Sequence, residues 1–233
     1  MNAEIGNLGD IDCPICRNKG IVYRLTYGLE IVGSVCPCMV TRDTAQRMRE
    51  SGIISLLKKY TLDSYSVSEK WQECAKNSAA DYAEHPHGWL FIGGQVGSGK
   101  THLCTAVVGA LIGKGLSARY MLWKDESTRL KSMINDPEYS KTIDEYKRVD
   151  VLYIDDFLKT PGSASPTAGD INLAFELLNH RYYSQKLTVI SSEMTINDIL
   201  AIDQALGSRI YEMASKHCVV ISKDDNRNYR MKP

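Results

Sequence analysis

The distribution of apolar and polar residues along the chain predicts strands that alternate with helices. Five segments have the continuous or alternating apolar character of buried strands, namely residues 88–92, 117–123, 151–154, 187–192 and 218–221. Between them, residues 69–84 and 170–184 repeat apolar side chains at helical spacing. Strands that are separated by helices form parallel sheets, so the pattern predicts an α/β fold with helices on the faces of the sheet.

The N-terminal part of the chain has a different pattern. Residues 21–32 form an alternating stretch that contains Gly28, which predicts a β-hairpin. Residues 41–60 are helical in pattern, and residues 61–68 are polar. We therefore predict three parts, which are a small module at residues 1–40, a linker helix and hinge at residues 41–68, and the α/β domain at residues 69–233.

Residues 94–101 read Gly-Gln-Val-Gly-Ser-Gly-Lys-Thr and match the phosphate-binding P-loop pattern G-x-x-x-x-G-K-[ST]. Glycines let the backbone N–H groups turn toward phosphates, and the following helix directs its positive end at the anion. Lys100 is expected to contact the β- and γ-phosphates, and Thr101 to bind Mg²⁺. A predicted strand precedes the loop and an apolar helix follows it. The residues assigned to nucleotide binding are Gly94, Gly97, Ser98, Gly99, Lys100, Thr101 and His102.

The apolar strand at residues 151–154 ends in Asp155 and Asp156, which is the Walker B pattern. Asp155 is expected to hold Mg²⁺, largely through water, and Asp156 to act as the general base on the attacking water. The alternative is that two acidic residues merely end a strand. Beside a P-loop, the pair predicts that the chain hydrolyses ATP.

Four of the seven cysteines are clustered, as Cys13, Cys16, Cys36 and Cys38. This CxxC and CxC spacing predicts a zinc site with two thiolates from each of two turns. Four thiolates leave no open position for water, so the expected role of zinc is structural. A module this small needs the metal for stability. The alternative is a hairpin that carries reduced cysteines.

Charge gives little information about partners. The chain has 28 Lys and Arg against 28 Asp and Glu, so no global positive field attracts nucleic acid. Residues 13–60 are locally basic, with eight Lys and Arg against three Asp and Glu, which suits either an anionic partner or a solvated helix face. Because the sequence has neither a long apolar run nor a signal pattern, we expect a cytoplasmic protein without membrane contact.

Four segments together resemble one family. These are the Gly-Lys-Thr-His-Leu run, the Ile-Asp-Asp-Phe strand end, the Ile-Ser-Ser-Glu strand end and the Gly-Ser-Arg-Ile segment. They are similar to the bacterial replicative helicase loaders of the DnaC/DnaI type, AAA+ ATPases related to the IstB transposition helper and the DnaA initiator. The resemblance covers the chain from about residue 60 onward. The four-cysteine module is similar to the zinc-binding, helicase-contacting domain of DnaI-type loaders.

The resemblance implies further roles. Arg209 matches the arginine finger that completes a neighbouring subunit's ATP site, which implies a homo-oligomer, although a surface salt bridge is the alternative. Ser192 is the preferred sensor-1 residue, and Arg230 is a candidate phosphate sensor. Glu193 departs from the family pattern, which has Asn there. Its carboxylate would repel a γ-phosphate unless it points away or is bonded to a cation.

The family also implies an AAA+ P-loop sheet without a helical lid, because too few residues follow Arg209 to form one. The expected function is ATP-dependent loading of a replicative DNA helicase, with contact to single-stranded DNA. The alternatives are an IstB-like transposition helper that acts on duplex DNA, a small-molecule P-loop kinase, and a zinc-ribbon binding module without hydrolysis. ATP, Mg²⁺ and Zn²⁺ are the expected ligands.

Overall fold

The computed structural model of the chain describes residues 4–9, 11–160 and 164–231. Its first regular elements are the strands β1 (Ile21–Leu25) and β2 (Ile31–Val35), which pair antiparallel. The backbone N–H of Thr26 donates to the carbonyl oxygen of Glu30 at 2.9 Å and closes the turn between the strands. The hairpin that the alternating pattern predicts at residues 21–32 is therefore confirmed.

Two helices follow, where the pattern predicts one helical stretch at residues 41–60. They are α1 (Cys38–Glu50) and α2 (Ile54–Lys59). The break lies at Gly52, whose φ of +74° is left-handed and cannot continue an α-helix. Met48 and Ile53 are almost fully buried against the α/β core. The segment predicted as a linker is thus packed on the core, and the domain boundaries remain predictions.

A five-stranded parallel sheet forms the centre of the rest of the chain. Its strands are β3 (Trp89–Gly94), β4 (Ala118–Leu122), β5 (Val151–Asp155), β6 (Leu187–Ser192) and β7 (Cys218–Ile221). Their order across the sheet is β4-β5-β6-β3-β7, and every neighbouring pair is parallel. The strand β6 therefore lies between the P-loop strand β3 and the Walker B strand β5, and all three end at one edge of the sheet.

Helices cover both faces of this sheet, as the alternation of elements predicts. Successive residues of β3 point to opposite faces. Leu90 and Ile92 pack with the helices of one face, and Trp89 and Phe91 pack with those of the other. The first face carries α1, α2, α3 (Lys70–Glu84) and α4 (Lys100–Gly113), and the second carries α5 (Trp123–Ser132), α6 (Glu138–Arg148), α7 (Ala168–Tyr183), α8 (Ile196–Ile202) and α9 (Gln204–Met213).

The ends of the chain's elements differ from the predicted ones in small ways. Trp123 begins α5 rather than ending β4. Thr167, not Asp170, is the N-cap of α7, and Asp170 completes the capping box three residues later. After Ile221 the described residues contain one 3₁₀ turn, Asp225–Arg227, and no helical lid. No helix in the described part of the chain is long and apolar enough to span a membrane.

Arg181 on α7 is fully buried and joins two segments of the core. Its guanidinium donates to the carbonyl oxygens of Tyr146 at 2.8 Å and Val149 at 3.0 Å, just before β5. It also donates to the hydroxyl of Thr188 on β6 at 3.0 Å. Burial lowers the pKa of Arg181 to about 9. These bonds fix the start of β5 beside β6, and so help to align the strand ends that carry the functional residues.

Candidate functional site

The P-loop, residues 94–101, connects β3 to α4 and depends on three glycines with left-handed backbones. Gly94, Gly97 and Gly99 have φ values of +106°, +72° and +89°. A Cβ atom on Gly94 would lie 2.0 Å from the carbonyl oxygen of Ile221, and one on Gly97 would lie 1.9 Å from Oδ1 of Asn228. Only glycine fits these two positions without a shift of the neighbouring atoms.

Lys100 is the first residue of α4 and is buried, with 6% of its surface exposed. Its Nζ donates to the carbonyl oxygens of Gly94 at 2.8 Å and Gln95 at 2.6 Å. Burial lowers the pKa of Lys100, while the carboxylates of Glu193 and Asp156 oppose that shift. The ammonium is thus held inside the loop, where an anionic ligand would contact it.

Thr101 and Asp155 meet across the sheet edge, as the pairing of the two motifs predicts. The hydroxyl of Thr101 lies 3.1 Å from Oδ1 of Asp155, which also accepts a hydrogen bond from Ser191. The hydroxyl of Tyr120 donates to Oδ2 of Asp155 at 3.2 Å. Burial and the charge of Asp155 raise the pKa of Tyr120, so this phenol keeps its proton.

This arrangement fits a magnesium ion by the chemistry of its donors. A hydroxyl and a carboxylate are oxygen ligands of the kind that Mg²⁺ prefers, and Mg²⁺ commonly keeps several waters as further ligands. Thr101 and Asp155 could therefore hold the ion. Ser191 and Tyr120 orient the carboxylate. The sequence places Ser191 beside Ser192 at the sensor-1 position, but it gives no signal for Tyr120.

Asp156 begins a turn beside the P-loop and is paired with a lysine. Nζ of Lys159 lies 3.0 Å from Oδ2 of Asp156 and 2.7 Å from Oε1 of Glu193. The expectation that Glu193 either points away or is bonded to a cation is thereby resolved, because it is bonded to Lys159. The sequence did not lead us to Lys159 as a site residue, although its position three residues after Asp156 could have indicated the ion pair.

A cavity of about 380 Å³ lies in front of these groups. It extends from the P-loop to the end of α2, and residues that line it include Tyr60, Lys100, Thr101, Asp156, Glu193 and Arg230. His102 also lines this cavity, stacks on Tyr60 with ring centroids 4.5 Å apart, and contacts the carbonyl oxygen of Thr61 at 3.0 Å. Burial lowers the pKa of His102. Its part in nucleotide binding remains a prediction.

The C-terminal segment crosses the P-loop, which no sequence pattern indicated. The backbone N–H of Tyr229 donates to the carbonyl oxygen of Gly97 at 3.0 Å. The hydroxyl of Tyr229 donates to Glu69 at 3.0 Å, at the start of α3. This crossing brings Arg230 to the cavity, where the sequence predicts a phosphate sensor.

Two assigned residues lie away from these groups. The hydroxyl of Ser192 donates to the carbonyl oxygen of Phe157 at 2.8 Å and accepts from the N–H of Met194 at 3.0 Å. Ser191, not Ser192, is the serine that contacts Asp155. Arg209 stacks 4.9 Å from the ring centre of Phe175 and does not line the cavity. The sensor role of Ser192 and the finger role of Arg209 remain predictions.

The four-cysteine cluster is a second candidate site. Its sulfur atoms all lie within 4.8 Å of one another. Sγ of Cys13 is 3.8 Å from Sγ of Cys36, and Sγ of Cys16 is 3.5 Å from Sγ of Cys38. Burial opposes ionisation of Cys16, but hydrogen bonds led by the backbone N–H of Gly20 lower its pKa to about 6. The cluster could hold zinc through Cys13, Cys16, Cys36 and Cys38.

The cysteine module is joined to the core by α1. Cys38 is the first residue of this helix. Arg42, one turn later, donates to Oδ1 of Asn18 at 3.0 Å and to the carbonyl oxygen of Ile11. The same Asn18 oxygen accepts the backbone N–H of Cys13 at 2.9 Å. Hydrogen bonds therefore link the cysteine module to α1, and a change in the positions of the cysteines would alter the contacts of this helix.

Comparison with known proteins agrees with a nucleotide-binding site at the P-loop. A family model described as IstB-like ATP binding protein matches residues 40–233. The chain is 33% identical over 222 residues to the phage-like element PBSX protein XkdC of Bacillus subtilis (strain 168), with 90% of this chain and 82% of XkdC covered.

Solved structures with a similar fold include a DnaC helicase loader, with a TM-score of 0.57, 22% identity, and coverage of 71% of this chain and 97% of the other. AMPPCP-bound DnaA from Aquifex aeolicus has a TM-score of 0.58 and 23% identity, with 73% of this chain covered. The chain spans about half of that DnaA, 52% of its length. These likenesses show that the chain shares the α/β fold of both proteins. From the family match and the similarity to XkdC, the chain belongs to the IstB-like ATP-binding protein family.

Proposed function

We propose that this chain is an ATP-hydrolysing loader of a replicative DNA helicase, which works as an oligomer and contacts single-stranded DNA. The observation that carries the proposal is the combination of two features in one chain. A P-loop meets the Walker B carboxylate at the sheet edge, and a four-cysteine cluster sits at the start of α1. The fold match to nearly the whole of a DnaC helicase loader, and the phage-element relative XkdC, support the assignment.

The proposed hydrolysis uses the chain's own residues in three roles. The P-loop N–H groups and Lys100 bind the phosphates of ATP. Thr101 and Asp155 would hold Mg²⁺, which neutralises charge on the β- and γ-phosphate oxygens when bound. Water attacks the γ-phosphorus, ADP leaves, and Asp156 takes the proton of the attacking water.

Arg209 is proposed to act on the ATP site of a neighbouring subunit. Arg209 as a whole is half-buried and lies outside its own chain's cavity, which supports a role in trans. A mixing experiment tests this role. Lys100→Ala and Arg209→Ala proteins are each expected to be inactive, whereas their mixture should hydrolyse ATP at interfaces that pair an intact P-loop with an intact Arg209. Mixed oligomers without any hydrolysis would count against the trans role.

The loader function is tested by binding to the replicative helicase encoded in the same genome. We expect the wild-type chain to retain the helicase in a pull-down with a non-hydrolysable ATP analogue. Cys36→Ser should lose this binding, because it removes a buried member of the cluster. Cys74→Ser changes an exposed cysteine outside the cluster and is the matched control. If neither ATP nor the analogue yields a complex with the wild-type chain, the loader proposal is wrong.

A second candidate is an IstB-like transposition helper that acts on duplex DNA. The family match over residues 40–233 favours this candidate, because the family is described as IstB-like. Fluorescence anisotropy with labelled single-stranded and duplex oligonucleotides of equal length separates the two candidates. A loader should prefer the single strand, and both affinities should fall with salt. Preference for duplex, with growth of filaments, would support the second candidate.

A further inference from the structure

The turn that follows β5 has an unusual backbone. Asp156 and Leu158 have φ values of +53° and +58°, in the left-handed region that side-chain-bearing residues rarely adopt. Phe157 and Leu158 are fully buried, and the backbone N–H of Phe157 donates to the carbonyl oxygen of Ser191 at 2.8 Å. Such conformations persist where the surroundings enforce them, and they cluster at functional sites.

The turn determines where the ammonium group of Lys159 lies. The backbone N–H of Lys159 donates to the carbonyl oxygen of Asp156 at 3.0 Å, which folds residue 159 back over residue 156. The ammonium then reaches two carboxylates from different strand ends, at 3.0 Å for Asp156 and 2.7 Å for Glu193. All three side chains are about one-third exposed, at 35%, 30% and 34%. They line the same cavity as Lys100 and Thr101.

The charges of this cluster matter because the cavity has to accept a polyanion. Without the ammonium, two carboxylates would face the phosphates of ATP and repel them. Although burial opposes it, hydrogen bonds to Glu193 and Asp156 raise the pKa of Lys159, so it stays charged at neutral pH. The cation also restrains the carboxylate of Asp156, the general base of the proposed reaction.

We propose that Lys159 is a positioning residue for ATP, whose ammonium neutralises Glu193 and holds the Asp156 carboxylate in place. Lys159 and Glu193 therefore form a unit, in which the carboxylate repels ATP when the ammonium is absent. This inference rests on the proposed ATP hydrolysis. Its signature is a split between binding and turnover, because neutralising Glu193 affects affinity whereas orienting Asp156 affects the rate.

The test compares Lys159→Met, Glu193→Gln and the double variant with the wild-type chain. Affinity is measured with a fluorescent ATP analogue and Mg²⁺, and kcat and KM are measured for hydrolysis. We expect Lys159→Met to weaken nucleotide binding by about tenfold, since it leaves two uncompensated carboxylates. The double variant should regain affinity to within about threefold of wild type, because one repelling charge is gone, while kcat stays low.

Two controls separate this role from general destabilisation. Lys141→Met removes an exposed lysine that is paired with Glu138 on α6, and it should leave affinity and kcat unchanged. Lys159→Arg keeps the charge and should retain most of the affinity for ATP. This variant still tests the role of the charge if Lys159→Met does not fold.

The outcomes are distinguishable. A wild-type chain that binds no ATP would overturn the proposed function and this inference with it. If the wild-type chain binds ATP and either Lys159→Met binds equally well or the double variant is no better than Lys159→Met, only the role of Lys159 is refuted.

Discussion

Removal of metal from the four-cysteine cluster is the perturbation with the sharpest expected result. A Zn–S bond of about 2.3 Å in a regular tetrahedron separates the sulfur atoms by about 3.8 Å. The separation is 3.8 Å between Cys13 and Cys36, and 3.5 Å between Cys16 and Cys38. These two separations are therefore already close to the spacing that a zinc ion requires, and all four sulfur atoms lie within 4.8 Å of one another.

In the described part of the chain, the module buries little apolar surface besides the cysteines. Its buried apolar cluster consists of Cys13, Cys16 and Cys36, and every residue of β2 is exposed. Structural zinc contributes about 10–16 kcal/mol in small domains of this kind, so the hairpin should unfold without it. The C-terminal half of α1 should remain, because Met48 is only 1% exposed and packs on the core.

Hydrogen exchange of the backbone amides measures this effect. After chelation, the amides of β1 and β2 should lose protection, while those of β3 and β6 keep it. Affinity for ATP should change by less than about twofold, because the P-loop contacts the core and not the module. Cys36→Ser should reproduce the loss of protection, and Cys74→Ser should not.

The reasoning fails if the hairpin amides stay protected after a chromogenic assay shows that all zinc has been released. It also fails if purified protein contains no zinc and the hairpin is nevertheless protected. Either result would mean that reduced cysteines, not a metal, hold the module together.

Three further predictions concern the core. Asp155→Asn keeps the shape of the carboxylate but not its charge, so Mg²⁺-dependent hydrolysis should fall by about 100-fold in a phosphate-release assay. Arg181→Leu leaves buried carbonyl groups unpaired and should cost about 3–5 kcal/mol in urea unfolding, whereas Arg148→Leu at an exposed position should cost less than about 0.5 kcal/mol. Although burial opposes it, hydrogen bonds from Lys131 and Thr167 lower the pKa of Asp170. The stability that Asp170 adds, about 1–2 kcal/mol, should therefore be present above about pH 4 and be lost as the pH falls through its folded pKa, and Asp170→Asn should abolish this pH dependence of urea unfolding.

The parts of the site that the sequence predicted are those whose chemistry is local. The P-loop places its glycines, Lys100 and Thr101 within eight consecutive residues, so the chain alone reveals the motif. Asp155 and Asp156 end an apolar strand. The two cysteine pairs have the spacing of metal ligands. Each of these signals needs only a short segment to be recognised.

Sequence reasoning preferred Ser192 over Ser191 as the sensor-1 residue. The two serines have different contacts because successive side chains of a strand point to opposite faces of the sheet. Ser191 shares the face of Val189, on which α4 lies, so its hydroxyl reaches Asp155. Ser192 shares the opposite face with Ile190. A shift of one residue changes the face, and the apolar pattern of a strand buried on both sides does not reveal which face is which.

The sequence by itself determined the order of helices and strands, the P-loop motif, the Walker B strand end and the pairing of the clustered cysteines. Only the tertiary structure decided that β6 lies between β3 and β5, that Tyr120 supports Asp155, and that Lys159 joins Asp156 to Glu193. It also decided that Tyr229 crosses the P-loop. These contacts join segments that are far apart in the chain, and they depend on how the sheet and its helices pack, which no short pattern of residues encodes.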